Sequence, residues 1–388
     1  MIYDGIMAES LQEICRDAAP FCTFSSLSTE YYSPNYLRNW SKRWVPACYW
    51  SNEGMSGDPL VAYYVKNLLL IPNSYDLFQI LPSGIITEIL SYSSESWRDY
   101  CRSEWPSVHN PNLSISTFQA QDNRVDTLTD ELIFPLLWHS DHNHYWHFTF
   151  DIAFRLFYLI STAPDIANNL TLLVLGQNEL KSFQLQILAS ILGDKLNIKY
   201  SMRPLICREA IYIAPAHTLL QNKPWLTKYS SFLKNCFSRI YQPPFPEYST
   251  HSTMAKTTKI YIKRGKAANP RYLTNELDLI SMLEDRSFEV IDPGSLSLSE
   301  QINYFKSATL ILGLHGAAFT NLIYMKKKSL VLELTNTSYD PFTLFLLGKQ
   351  LDLQPTRLCT KTSPENFIGH VPFALNLHKV TRYLDLYI

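Results

Sequence analysis

The stretch Thr309-Leu-Ile-Leu-Gly-Leu-His-Gly-Ala-Ala-Phe-Thr-Asn321 joins an apolar strand, a glycine turn, one histidine and a helix start, and its reading decides the fold. Leu310, Ile311 and Leu312 form the short apolar run of a strand covered on both faces. Gly313 and Gly316 bracket Leu314 and His315, so the backbone is expected to turn sharply there and to let a ligand approach closely. The chain from Ala317 reads as helical, over 318–325, and its first N–H groups would point at whatever sits over the turn. A diphosphate fits such a place.

Strands and helices alternate on both sides of this turn. The pattern predicts strand 259–263, helix 274–284, strand 288–291, helix 298–307, strand 309–313, strand 329–334, helix 340–347 and a last strand near 353–359. Steps of about 20 to 30 residues per βα unit are those of a doubly wound domain. An earlier series reads as strand 170–175, helix 181–192, strands 196–201 and 209–213, and helix 225–241, which favours a parallel sheet with helices on both faces. Before it come strands at 60–65 and 68–71, short helices near 10–17 and 91–102, a mostly irregular 108–126, and a helix over 145–161. Pro243, Pro244 and Pro246, with several Ser and Thr and no hydrophobic periodicity, mark 242–257 as a linker.

The expected fold class is therefore α/β, with two Rossmann-like domains facing a central cleft at the carboxyl ends of their strands. The first domain takes residues 1–241, including an N-terminal extension with no assigned role, and the second takes 258–375. A tail helix within 376–388 is expected to pack back on the first domain.

A length of 388 residues suits two such domains. The balance of 34 Lys and Arg against 35 Asp and Glu gives a net charge of -1, which removes any global electrostatic case for nucleic acid or an anionic membrane. The seven cysteines are scattered and never form a C-x-x-C pair, as free thiols in a reducing compartment would be. Asp4, Glu9, Glu13 and Asp17 argue against a cleaved signal peptide. No run reaches the ~20 apolar residues of a membrane span. A soluble, cytoplasmic protein is expected.

Two groups of residues carry chemistry. In the second domain Lys263, Arg264, Lys266 and Arg271 form a basic loop at a strand end, either a solvated surface loop or a patch that neutralises a diphosphate through arginine forks. His315, flanked by Leu314 and Gly316, has few bulky neighbours to make it a core residue and is suited to hydrogen-bonding a phosphate oxygen. Glu333 interrupts the apolar run Leu330-Val-Leu-Glu-Leu334, so it is expected to accept from ligand hydroxyls or to pair with a local cation. In the first domain His139, His142, His144 and His147 crowd one segment, which invites a metal reading, although the spacing matches no familiar zinc motif. On a helix starting near Tyr145, residues His147, Asp151 and Arg155 share one face. That face suits a general base, or equally a plain ion pair on a surface helix.

Together these segments resemble glycosyltransferase family 61, which is related to O-GlcNAc, xylosyl and arabinosyl transferases and to bacterial capsular polysaccharide enzymes. The residues that carry the likeness are His147-Phe-Thr-Phe-Asp151 through Arg155-Leu156; Ile260 to Arg264; Asn275-Glu276; Glu300-Gln301; Gly313 to Asn321; and Val331-Leu-Glu333-Leu334. His144, Phe154 and Lys263 stand where the family has Asn, Pro and Ser.

The resemblance implies a GT-B architecture and an inverting, metal-independent transfer from a UDP-sugar, such as UDP-GlcNAc, to a hydroxyl of a glycan or protein acceptor. It needs no cofactor or metal beyond the sugar donor. It implies that Arg264, Arg271 and His315, with the backbone at Gly316 and Ala317, hold the diphosphate. Asn321 and Glu333 would place the nucleoside or the turn, and Asp151 or His147 would be the base. A cytoplasmic place fits an enzyme of bacterial polysaccharide biosynthesis or a bacterial protein delivered into a host cell. Two other readings are a metal-dependent hydrolase built on His139 to His147 and a nucleotide-sugar-binding module without turnover.

Overall fold

Leu170–Leu175, six residues in a row and all buried, form a strand that only a sheet covered on both faces accommodates. The computed structural model describes residues 20–23, 61–72, 77–80, 86–89, 126–136, 144–176, 179–213, 223–240, 258–264, 272–337, 343–361 and 372–387. The proposed linker, the helices near 10–17 and 91–102, the irregular segment up to residue 125, His139, His142, Lys266 and Arg271 lie outside the described residues. By contacts the chain divides into two compact units, the first ending at Asn222 and the second beginning at Lys223.

The first unit holds β1 (Pro20–Thr23), β2 (Val61–Leu70), β3 (Leu77–Ile80), β4 (Ile86–Ile89), β5 (Asp126–Pro135), β6 (Leu170–Leu175), β7 (Ile198–Ser201) and β8 (Leu205–Ile213). Their order in the sheet is β4-β3-β2-β8-β5-β6-β7, with β1 also on β2. Only β8, β5, β6 and β7 are parallel to one another; β2, β3 and β4 extend the sheet antiparallel. The fully parallel sheet expected for this unit is thus mixed, because the links from β2 to β3 and β3 to β4 are too short for a crossover of about a dozen residues.

Two further differences have local causes. The separate strands expected at 60–65 and 68–71 are one strand, in which Asn67 takes a φ of 53° where the apolar pattern breaks. Strand β5 went unread because its register slips between Leu128 and Leu132, and a bulge there destroys the alternation that reveals a strand. Leu68, Leu70, Ile133, Leu173, Leu175 and Tyr212 pack into this unit's core. Helix α1 covers residues 145–162 and α2 is Ser182–Leu192.

The second unit begins with α3 (Lys223–Ile240), a helix expected in the first domain. Ser230 Oγ donates to the carbonyl of Ile323 at 2.7 Å and Lys234 Nζ to that of Met325 at 3.0 Å, fixing α3 within this unit. Five strands follow: β9 (Thr258–Ile262), β10 (Phe288–Ile291), β11 (Ala308–Leu314), β12 (Leu330–Asn336) and β13 (Gln354–Thr360). They interleave with α4 (Glu276–Glu284), α5 (Leu298–Ser307) and α6 (Thr343–Gln350). All neighbours are parallel, in the order β10-β9-β11-β12-β13.

This is the doubly wound order in which winding reverses between the first and third strands, here β9 and β11, and ligands bind at the carboxyl ends beside that reversal. The tail helix α7 (Leu377–Tyr387) was expected on the first domain. Instead its Val380, Tyr383 and Leu384 join Tyr261, Leu279, Leu283 and Leu312 in the core of the second unit. No helix among the described residues is long and apolar enough to cross a membrane.

Candidate functional site

At the winding reversal the ends of β9 and β11 are brought into direct contact. Arg264, two residues beyond β9, donates from its guanidinium to the carbonyl oxygen of His315 at 2.8 Å, just past the end of β11. Gly316 makes this possible: a Cβ there would stand 3.1 Å from the Arg264 guanidinium nitrogen. The φ of Gly316 is 178°, extended backbone open to any residue, so closeness rather than conformation requires the glycine.

Gly313 does not turn the chain as expected. It lies inside β11, paired with Ile262 and Glu333, and the ladder continues past the strand as His315 N–H donates to Leu334 at 3.0 Å. What demands a glycine at 313 is the approach of β9, since a Cβ would meet Ile262 Cβ at 2.9 Å and its carbonyl at 3.1 Å.

The His315 ring meets Glu333 through Nδ1, at 2.5 Å from Oε1. The other oxygen of Glu333 accepts from Arg357 Nε at 2.9 Å. Glu333 has 2% of its side chain exposed, so the burial of its charge is offset by protein cations and donors rather than by water. Arg357 was missed in the sequence. It interrupts a predicted strand as Glu333 does, and pairing two such interruptions on successive parallel strands would have found it.

Ala317–Tyr324 forms a 3-10 helix, not the α-helix expected at 318–325. Phe319 N–H closes onto Gly316 and Met325 N–H onto Leu322, and Phe319, Leu322, Ile323 and Tyr324 are all buried, which holds the segment tight against the core. Asn321 is fully buried, its amide donating to Gln301 Oε1 at 2.9 Å and to the Ala318 carbonyl at 3.2 Å. Gln301 in turn donates to the carbonyls of Pro293 and Leu296. Asn321 and Gln301 thus fasten the turn to α5. The first N–H groups of a helix have no partner within it, and this segment starts at Ala317, two residues after His315.

The second constellation lies on α1 in the first unit. Tyr145–His147 and Phe154–Thr162 are α-helical, and Phe148–Ala153 between them is a π-helical turn, a wider i→i+5 form frequent at functional sites. Every residue of this π turn is buried, which removes the reading of α1 as a surface helix carrying an ion pair. His147 Nδ1 and Asp151 Oδ2 are 2.6 Å apart. Arg155 Nε donates to the backbone carbonyl of Asp151 rather than to its carboxylate, and its Nη1 donates to the carbonyl of Ile213 at 2.6 Å.

Tyr212 also hydrogen-bonds Arg155, so the guanidinium ties α1 to the end of β8. Burial pushes the Asp151 carboxyl above its ordinary value, against the opposing pull of His147 and Arg155. Burial likewise raises the Tyr212 hydroxyl. His144 stacks obliquely on His147 at 4.8 Å. Among the described residues no group of three or more His, Cys, Asp or Glu is placed to hold a metal.

Residues 145–332 match the family model described as Glycosyltransferase 61, a segment that starts with α1 and runs into β12. No curated protein matches the chain.

Proposed function

The chain belongs to glycosyltransferase family 61 and is a glycosyltransferase, and we propose that it moves a sugar from a UDP-sugar, UDP-GlcNAc or a close relative, to a hydroxyl of a glycan or protein acceptor with inversion and without a metal. The observation that carries this reading is the Arg264 to His315 contact at the reversal of winding, where two basic residues meet just before the helical segment that starts at Ala317. In a metal-free transfer the departing diphosphate must be stabilised by cations and dipoles of this kind. Arg264, Arg271 and His315, with the backbone of Gly316 and Ala317, take that role. Asn321 and Glu333 hold the turn that presents them.

On the acceptor side, Asp151 or its partner His147 removes the hydroxyl proton while the acceptor oxygen attacks the anomeric carbon. The bond from that carbon to the diphosphate oxygen breaks, and its electron pair leaves with UDP. A GT-B arrangement is part of the proposal, supported by two separate sheets, one wholly parallel and the other with a parallel run of β8, β5, β6 and β7. So is a cytoplasmic role in polysaccharide synthesis, supported by the free thiol of the buried Cys207.

Calorimetry with a panel of UDP-sugars in EDTA tests the reading. One sugar nucleotide should bind, and Arg264→Ala or His315→Ala should weaken it by on the order of tenfold or more. Undiminished affinity in both variants removes the diphosphate assignment.

A further inference from the structure

Arg357 lies beyond the segment matched by the family model, on β13, the last strand of its sheet. Three adjacent parallel strands place Gly313, Glu333 and Arg357 side by side in register. His315, two residues after Gly313, falls on the same face by the alternation of side chains along a strand. Glu333 is the hinge between the two basic residues, with one oxygen on His315 Nδ1 and the other on Arg357 Nε.

Arginine keeps its charge inside proteins and meets a carboxylate in a fixed geometry, as Arg357 Nε does with Glu333 Oε2 at 2.9 Å. An ionised carboxylate only accepts hydrogen bonds. The Nδ1 of His315 must therefore carry its proton, and the ring is held in one orientation. From the opposite side Arg264 fixes the backbone of the same histidine.

We propose that Arg357 is a positioning residue of the nucleotide site, acting through Glu333 to fix the orientation and the Nδ1–H form of His315. The proposal rests on the reading that His315 faces the donor diphosphate.

The test is a double-mutant cycle on the full chain, with UDP as the calorimetric probe in EDTA, joined to 15N NMR of histidine-labelled protein in which His315→Gln identifies the His315 signals. Arg357→Met should weaken UDP binding on the order of tenfold, and should shift the ring nitrogens of His315 away from the bonded Nδ1–H pattern. In the His315→Gln background the same substitution should change UDP affinity by less than about twofold, because the residue it acts through is gone. Losses that simply add, or His315 ring signals that do not move, overturn the proposal. Should Arg357→Met fail to fold, Arg357→Lys carries the same cycle, since a single ammonium replaces the planar fork. If His315→Gln alone leaves UDP affinity unchanged, the donor-site reading fails. The ring signals of His315 in the Arg357 variants then still decide whether Arg357 positions it.

Discussion

Gly313 and Ile262 stand on neighbouring parallel strands so close together that a Cβ on residue 313 would lie 2.9 Å from the Ile262 Cβ and 3.1 Å from its carbonyl oxygen. Neither of those atoms is the free end of a flexible side chain, so the strands themselves would have to part. Gly313→Ala should therefore destabilise the protein by about 1 to 3 kcal/mol, as overpacking of a filled core does. Because β9 and β11 carry Arg264 and His315 at their ends, UDP affinity should fall as well. Urea unfolding and calorimetry on the same variant check both effects, and a variant as stable as wild type would remove the close-approach argument.

Gly316→Ala separates binding from stability. Its Cβ would meet the terminal nitrogen of Arg264 at 3.1 Å, an atom at the end of a long side chain that yields at little cost, and the extended backbone at Gly316 imposes no strain on alanine. Stability should change by less than about 0.5 kcal/mol. The Arg264 guanidinium should be displaced from the His315 carbonyl, and UDP binding should weaken severalfold. An unchanged affinity would show that the position of Arg264 has no bearing on the nucleotide.

Most of the second unit was legible in its sequence because its strands are short, apolar and separated by helices of ordinary period, and the carboxyl ends of β9 and β11 followed from them. The contacts that build the site were less legible. Glu333 read as a lone charge on an apolar strand and Arg357 drew no reading, since only the register of β12 against β13 joins them. Gly313 read as a turn because a glycine near a strand end signals either a turn or a close neighbour, and the neighbour, Ile262, lies far away in sequence. In the first unit a left-handed Asn67 split β2, and the bulge between Leu128 and Leu132 hid β5. The spacing of His147, Asp151 and Arg155 put the three on one helix face, and hydrogen bonds join them there. Periodicity alone carried no sign of the π turn, or of Ile213 and Tyr212 as partners of Arg155.

Arg155→Met is expected to be among the more destabilising single changes in the first unit. Arg155 is 1% exposed, and its removal leaves the carbonyls of Asp151 and Ile213 without the donor they now share. It also removes a cation that faces the buried Asp151 carboxyl. Breaking a buried charged network from one side costs about 3 to 5 kcal/mol. Arg155→Lys should recover only part of this, since one ammonium does not span the two carbonyls as the fork does. The midpoints of urea unfolding order the three proteins, and a lysine variant equal to wild type would reduce the role of Arg155 to its charge alone.

Asp151 ties the chemistry to pH with a sign that can be worked out. Burial raises its pKa above the ordinary 3.8, more than His147 and Arg155 lower it. If Asp151 rather than His147 is the proposed base, it must be ionised, so kcat/KM for UDP release from the donor should fall as pH drops through the raised value, an acid limb above the usual carboxylate range. For folding, the raised value means that the folded chain binds this proton more tightly than the unfolded chain. The stability that proton binding contributes is fully present below the unfolded value near 3.8 and is lost as pH rises through the folded one. Asp151→Asn removes that dependence. It should flatten the stability profile across this window and lower the transfer rate by about 100-fold or more. Transfer that persists in Asp151→Asn with the same acid limb would move the base assignment to His147.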